Sequence, residues 1–86
     1  KNATMEWIKI PPDSILANKK IEELDIRKKT GVSITTIIRG EAVIPNPSPG
    51  EIIKPQDTLI IIGNNEQVKN FISTFEIKHR LENDRQ

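Results

Sequence analysis

The feature that most restricts the fold of this chain is an uninterrupted apolar run, Leu-Ile-Ile-Ile at residues 59–62, which Thr58 precedes and Gly63 ends. Its β-branched side chains favour a strand, and the run is too short for a helix of ordinary length. A strand that is apolar at consecutive positions has no polar face to turn to water. We therefore expect it to lie inside a sheet with both faces covered.

Three further segments have the composition of strands. Residues 5–10 predict a first strand, which ends at two prolines because proline has no N–H group for a sheet ladder. Residues 32–39 are rich in valine, isoleucine and threonine and predict a second strand. A turn at Gly40 then returns the chain as a third strand over residues 41–44.

Two segments predict helices. Residues 20–30 place Ile21 and Leu24 on one helical face, and Gly31 is a suitable left-handed terminator. The second helix is capped by Asn64 or Asn65 and carries an apolar face of Val68, Phe71, Ile72 and Phe75. Between the helices, residues 45–50 contain three prolines and predict a stiff loop.

The order of these elements predicts an α+β fold, a four-stranded β-sheet packed against two helices in the order βαβββα. The 86 residues suffice for one small domain with a thin core, so we expect association with a second copy or with a parent chain. We expect residues 1–5 to be a linker, residues 6–75 to be the folded domain and residues 76–86 to be a polar C-terminal tail. Because the chain begins at Lys1, we expect it to have been cut from a longer protein.

The charge and cysteine content exclude several classes of function. Thirteen Lys and Arg residues against twelve Asp and Glu residues leave a net charge of +1, so no broad cationic field attracts nucleic acid or anionic membrane. The chain has no cysteine, which excludes disulfides, thiol catalysis and cysteine-bound metal and fits a reducing compartment. We expect no direct binding of nucleic acid by this chain.

The residues do not predict catalysis. His79 is the single histidine, in the polar tail, and no serine lies near it in sequence. Glu22, Glu23 and Asp25 form an acidic cluster that could bind a cation or act as an acid–base pair, but the lysines among them favour a solvated helix face. No phosphate-binding glycine loop is present. We expect no catalytic residue, no metal site and no cofactor.

One group of residues suggests an anion site. Arg27 lies on the first helix beside the Gly31 turn, and the next strand opens with the serine hydroxyl and backbone N–H groups of residues 32–34. Apolar side chains and the proline loop would form the floor and wall of a slot that suits a nucleotide: Ile21, Leu24, Ile34, Pro45, Asn46 and Pro47. Alternatively, Arg27 pairs with Asp25 or Glu23 and the rest is core and turn. The residues alone leave both interpretations open.

A recognisable pattern lies in five segments: residues 7–8, residues 14–34, Ile37-Ile38-Arg39, residues 45–49 and residues 56–63. Together these segments resemble the TrkA-C domain, also called RCK-C, from about Glu6 to Phe75. Three positions depart from the usual family pattern. Asn18 and Gln56 stand where glycine is common, and Ser33 stands where asparagine is frequent.

The resemblance implies a homodimer that regulates a bacterial potassium channel, potassium transporter or cation/proton antiporter. It implies a cytoplasmic protein, peripheral to the membrane through a transporter subunit, and Trp7 lies in a stretch similar to the soluble subunit of a potassium/proton antiporter. It also implies cyclic di-AMP as ligand, bound between two subunits. The residues that match ligand-binding positions of the family are Ile21, Asp25, Arg27, Ser33, Ile34, Asn46 and Pro47.

Two other functions remain open at this point. TrkA-C domains also occur in transcription regulators, so the chain could be the ligand-binding and dimerisation half of such a protein. It could also be a dimerisation module with a metal ion, another nucleotide or no ligand. A DNA-binding helix pair in the missing N-terminal part would favour the regulator.

Overall fold

The computed structural model of the chain describes residues 2–78. The predicted tail from residue 79 onwards, with His79, lies outside the described residues. The helices and strands, in chain order, are β1 (Thr4–Lys9), α1 (Ile21–Leu24), α2 (Ile26–Thr30), β2 (Ser33–Arg39), β3 (Ala42–Pro45), β4 (Thr58–Gly63) and α3 (Asn65–Thr74).

The four strands form one antiparallel sheet in the order β1-β4-β2-β3. The apolar run is β4, and it lies between β1 and β2, so the predicted interior strand is confirmed. Leu59 in β4 is opposite Ile8 on one side and Ile37 on the other, and all three side chains are fully buried. This row of aliphatic side chains forms the part of the core that the sheet contributes.

All helices contribute to a single core on one face of the sheet. The ring centroids of Phe71 in α3 and of Phe75, the residue that follows α3, are 5.3 Å apart, and Val68 of α3 is also buried in the core. The predicted four-stranded sheet with a helical layer is therefore confirmed. The buried apolar residues are Ile8, Ile10, Leu16, Ala17, Leu24, Ile26, Val32, Ile37, Ile53, Leu59, Ile61, Val68, Phe71 and Phe75.

The other face of the sheet, called the outer face below, has no covering layer among residues 2–78. The expectation that both faces of β4 are covered therefore does not hold within one copy, because the helices share a single core on the opposite face. Trp7 is 51% exposed and Val43 is 63% exposed although both are large and apolar. By strand register, the outer face consists of Met5, Trp7, Lys9, Ser33, Thr36, Ile38, Val43, Pro45, Thr58, Ile60 and Ile62.

The helix predicted over residues 20–30 is two short helices, because Asp25 between them adopts a left-handed conformation with φ 53° and ψ 42°. Packing explains the break. Leu24 and Ile26 are both buried, yet residues two apart point to different sides of a continuous helix. The turn at Asp25 lets both side chains enter the core, and α1 and α2 together occupy the first helical position of the predicted order.

The ends of the elements differ slightly from the predicted ones. Strand β1 begins at Thr4, one residue before the predicted first strand and within residues 1–5, which were expected to be a linker. Thr4 is paired across the sheet with Gly63, and its hydroxyl donates to Asn65 Oδ1 at 2.8 Å. At α3, Asn64 is the N-cap, because its side chain accepts from the amide of Gln67 at 2.7 Å.

Candidate functional site

A cavity of about 340 Å³ opens where the first helical segment, the start of β2 and the proline loop meet. Its volume lies near the lower end of the range of about 300–1,000 Å³ that is typical of small-molecule pockets. Both apolar and charged side chains reach it. The cavity is lined by Ile21, Glu22, Asp25, Ile26, Arg27, Val32, Ser33, Ile34, Pro47 and Pro49.

The structure brings together six of the seven residues predicted to bind a ligand. The exception is Asn46, which does not line the cavity. It adopts a left-handed conformation with φ 47°, and its amide donates to the carbonyl of Thr35 at 2.8 Å. This bond holds the end of β3 against β2, so the backbone of Asn46 places the following Pro47 at the cavity. Leu24, predicted for the apolar floor, is in the core instead.

Arg27 is exposed on α2 and faces the cavity. Among residues 2–78 its guanidinium makes no ion pair, so the alternative pairing with Asp25 or Glu23 is not formed. The donors of this side chain are therefore available to an acceptor that enters the cavity. Since guanidinium groups bind phosphate through two parallel hydrogen bonds, a phosphate is a suitable partner.

The junction between α2 and β2 fixes Arg27 relative to Ser33. The hydroxyl of Thr30 donates to the carbonyl of Ile26 at 2.8 Å and accepts from the amide of Val32 at 3.2 Å. The amide of Val32, which the sequence suggested as an anion donor, therefore already has a partner. The Ser33 hydroxyl makes no hydrogen bond within residues 2–78 and remains available at the cavity.

Gly31 makes this junction tight. It has φ 86°, and its amide donates to the carbonyl of Arg27 at 2.7 Å, as predicted for a left-handed helix terminator. A β-carbon at this position would lie 2.5 Å from Nε2 of Gln67 on α3. The close approach to α3 seats the end of α2, and therefore the backbone of Arg27, against the rest of the domain.

The opposite wall of the cavity comes from the proline loop, and hydrogen bonds tie it to α1. The amide of Glu22 donates to the carbonyl of Pro49 at 2.8 Å. The amide of Ile21 donates to the carbonyl of Glu51 at 3.0 Å. These bonds satisfy two amides of the first turn of α1, which have no partner within the helix.

Sequence reasoning missed three lining residues, Glu22, Ile26 and Pro49. Glu22 and Pro49 lie 27 positions apart and meet through a backbone hydrogen bond, for which the local pattern carries no signal. Glu22 and Asp25 bring two carboxylates to the cavity beside the single cation of Arg27. The cavity is therefore not broadly positive, and an anion must be held at Arg27 itself.

The part of the chain that the structure describes contains neither a metal centre nor a membrane-spanning helix. No group of three His, Cys, Asp or Glu residues there is placed to hold a metal ion. No helix of residues 2–78 is both long enough and apolar enough to cross a membrane.

Fold and cavity together define a small α+β domain with a ligand-sized site at the edge of its sheet. The model of the TrkA-C domain family matches residues 5–76. This match covers most of the chain, which therefore belongs to the TrkA-C domain family.

Curated relatives belong to transport systems. The chain is 39% identical over 64 residues to Ktr system potassium uptake protein C of Bacillus subtilis, covering 74% of this chain and 29% of the relative. It is 27% identical over 71 residues to the ammonium/H⁺ antiporter subunit AmhM of Alkalihalophilus pseudofirmus, covering 83% of this chain and 42% of the relative. The chain thus spans less than half the length of these relatives.

Solved structures share the fold. The RCK C domain of the potassium transport protein KtrA in complex with c-di-AMP superposes with a TM-score of 0.76 at 29% identity, covering 85% of this chain and 84% of that one. BusR of S. agalactiae in complex with its busAB promoter DNA has a TM-score of 0.78 at 25% identity, covering 90% of this chain and 38% of that one.

Proposed function

We propose that this chain is a regulatory domain that binds cyclic di-AMP between two copies of itself and thereby controls potassium or cation/proton transport. The observation that carries the proposal is the guanidinium of Arg27, which makes no ion pair within residues 2–78 and lies at a cavity with partly apolar walls. The residues proposed to contact the ligand are Ile21, Asp25, Arg27, Ser33, Ile34, Asn46 and Pro47.

The size of the cavity supports a shared site. About 340 Å³ is at the lower end for a small-molecule pocket, whereas cyclic di-AMP has two bases and two phosphates. The ligand has two-fold symmetry, and a two-fold dimer presents the same patch twice. Each copy then supplies one Arg27 for one phosphate and one apolar slot for one base. The expected stoichiometry is one ligand for two chains.

The outer face of the sheet supports homodimerisation and is the surface on which we propose the copies meet. It exposes Trp7 and Val43 and has no covering layer among residues 2–78. Ser33 is opposite Ile62 in the sheet, so it lies on the outer face, and it also lines the cavity. A second copy that covers this face therefore reaches the edge of the cavity through Ser33.

The relatives support the proposed role in transport. A potassium uptake protein and an ammonium/H⁺ antiporter subunit share this domain, and the KtrA domain was solved with c-di-AMP. We therefore propose that the chain acts on the cytoplasmic side of a membrane-embedded potassium or cation/proton transporter subunit. The ligand would bias the arrangement of the dimer, and the chain itself would bind without chemical turnover.

Titration calorimetry of the chain with cyclic di-AMP tests the proposal. We expect saturable binding with a molar ratio of about one ligand to two chains. Cyclic di-GMP serves as the matched ligand with the same phosphates and different bases. Absence of heat with cyclic di-AMP, or equal affinity for AMP alone, would contradict a dinucleotide site. Hydrolysis of cyclic di-AMP during the titration would contradict binding without turnover.

A second candidate is the ligand-binding half of a DNA-binding regulator. The observation that favours it is the likeness to BusR, whose structure was solved with promoter DNA. The match covers 38% of the BusR chain. The two candidates differ in what would accompany this domain: a DNA-binding domain on the same polypeptide favours regulation of transcription. Co-purification with a membrane transporter subunit favours the first candidate.

A further inference from the structure

A side-chain cluster outside the cavity holds the segment that forms its wall. Arg39, at the end of β2, donates from Nε to Asp57 Oδ1 at 2.9 Å and from Nη2 to Asp57 Oδ2 at 2.8 Å. Asp57 is buried, with 1% of its side chain exposed, and it also accepts from the amide of Lys54 at 2.9 Å. The fork geometry and the burial make this the strongest ion pair among the described residues.

The same guanidinium also contacts the chain that runs on from the proline loop. Nη1 donates to Glu51 Oε2 at 3.3 Å, and Nη2 donates to the carbonyl of Ile52 at 3.0 Å. Arg39 thus joins a buried carboxylate to three positions of residues 51–54, counting the Lys54 amide held through Asp57. We call Arg39, Asp57 and Glu51 the clamp.

The segment held by the clamp is the one that binds α1. Its carbonyls at Pro49 and Glu51 accept from the amides of Glu22 and Ile21. Ile53 is hydrogen-bonded to the turn that precedes α1. Its amide donates to the Lys19 carbonyl at 2.9 Å, and its carbonyl accepts from the Asn18 amide at 2.6 Å. The chain around residues 49–53 therefore lies between Arg39 and α1. Both sides of the cavity, Pro49 and Ile21, depend on it.

We propose that the clamp is a positioning device for the ligand site: Arg39, without touching the ligand, holds residues 49–53 and through them α1 in the geometry that binding needs. The inference rests on the proposed function above and adds three residues to it, none of which lines the cavity. A ligand site tolerates only small displacements of its walls, of about 0.5 Å. Loosening the clamp should therefore weaken binding before it unfolds the domain.

Two variants loosen the clamp by different amounts. Arg39→Lys keeps a cation for Asp57 but loses the fork and the bond to the Ile52 carbonyl. Glu51→Gln keeps the size of the side chain and the backbone acceptor for Ile21 while removing one charge. Glu41→Gln, an exposed carboxylate just after the Gly40 turn, is the matched control. Thermal melts are used to choose a temperature at which every variant is fully folded.

Affinity for cyclic di-AMP is then measured on the folded proteins, with hydrogen exchange of the Ile21 and Glu22 amides in the ligand-free state. We expect an affinity loss of about tenfold for Arg39→Lys and about threefold for Glu51→Gln, with faster exchange at both amides and no change for Glu41→Gln. A purely structural role would lower the melting temperature but leave the affinity of folded protein unchanged, and that result would overturn the proposal.

Failure of the clamp proposal and failure of the proposed function give different results in these measurements. If wild type does not bind cyclic di-AMP, the proposed function fails, and the positioning role for this ligand fails with it. If wild type binds while both folded variants bind equally well, only the clamp proposal fails. If Arg39→Lys does not fold, Glu51→Gln decides, because it leaves the buried fork to Asp57 intact.

Discussion

Individual residues in the left-handed region determine several turns of this domain. Asn18 has φ 67° and Gln56 has φ 74°, and these are the two positions at which the resemblance to the family indicated a usual glycine. The structure shows the reason: both positions require a positive φ, which glycine adopts without steric cost. Gln56 maintains its turn through an amide that donates to the carbonyl of Ile10 at 2.6 Å. The family turn is therefore kept here despite the substitution.

Gln56→Gly should stabilise the domain. A left-handed conformation costs a side chain other than Asn or Asp about 1–2 kcal/mol, whereas glycine costs about 0.4–1 kcal/mol through the entropy of the unfolded chain. We expect a net gain of about 0.5–1 kcal/mol in the free energy of unfolding. Urea denaturation with a fixed slope measures it.

Asn18→Gly is the matched control for this strain. Asparagine tolerates the left-handed region far better than glutamine, so its replacement should change stability by less than about 0.5 kcal/mol. A Gln56→Gly variant that is less stable than wild type would mean that the glutamine side chain contributes more than its backbone strain costs.

At the scale of elements, the sequence predicted the sheet better than the first helix. Strands β2 and β4 follow from runs of β-branched residues, and α3 follows from an asparagine cap and an apolar face. The break at Asp25 was missed, because residues 20–30 contain a plausible helical stripe. The overlooked signal was Ile26, since a second apolar residue two positions after Leu24 does not fit one face of a continuous helix.

At the candidate site, too, the sequence predicted residues that are close together in the chain and missed contacts between distant ones. Arg27, Ser33 and Ile34 are close in sequence, so local reasoning could group them, and the stiff proline loop suggested Pro47. The family resemblance added Asp25. Glu22 and Pro49 meet only through tertiary hydrogen bonds and had no local signal. Arg39 and Asp57 are 18 residues apart, and nothing in the spacing of the two indicates that they pair across the end of the sheet.

The ion pair between Arg39 at the end of β2 and Asp57 before β4 predicts that stability depends on pH. Burial raises the pKa of the Asp57 carboxyl, but hydrogen bonds from Arg39 and the Lys54 amide outweigh it, and the pKa lies below its usual value. In the unfolded chain the pKa of an aspartate is about 3.9. The stabilisation is thus fully present above that pH and is lost as the pH falls through the lower folded pKa.

Asp57→Asn should remove this dependence. We expect the variant to be about 1.5–3 kcal/mol less stable at neutral pH, because an amide has one acceptor oxygen instead of two and carries no charge to strengthen the hydrogen bond that remains. Its melting temperature should also fall less steeply than that of wild type below about pH 4. Thermal melts across this range measure both effects. Asp13→Asn, at an exposed loop position, is the control, and equal acid sensitivity of Asp57→Asn and wild type would contradict the assignment.

At the scale of the whole molecule, the uncovered outer face predicts how copies associate. Trp7 is half exposed in one copy, so Trp7→Glu should leave the fold of that copy intact while placing a charge in the proposed interface. We expect light scattering to show a dimer for wild type and a monomer for Trp7→Glu at micromolar concentration. Lys69→Glu, exposed on α3 away from the outer face, is the control and should remain dimeric. A monomeric wild type would contradict homodimerisation.

In the proposed dimer, one Arg27 from each copy holds one phosphate of a shared dinucleotide. Arg27→Ala then removes two charge-assisted contacts per ligand, each worth about 1.5–3 kcal/mol, which corresponds to a loss of affinity of about a hundredfold or more. Because Arg27 is exposed and makes no ion pair within residues 2–78, stability should change by less than about 0.5 kcal/mol.

Titration calorimetry with cyclic di-AMP on wild type and three variants is the most direct test. We expect Arg27→Ala to lose affinity by about a hundredfold, Arg27→Lys to recover part of it, since an ammonium lacks the guanidinium fork, and Lys29→Ala to bind like wild type. Lys29 is an exposed cation on the same helix that does not line the cavity. Unchanged affinity in Arg27→Ala, with wild type binding and all proteins folded, would contradict the account, because the phosphates would then be held elsewhere.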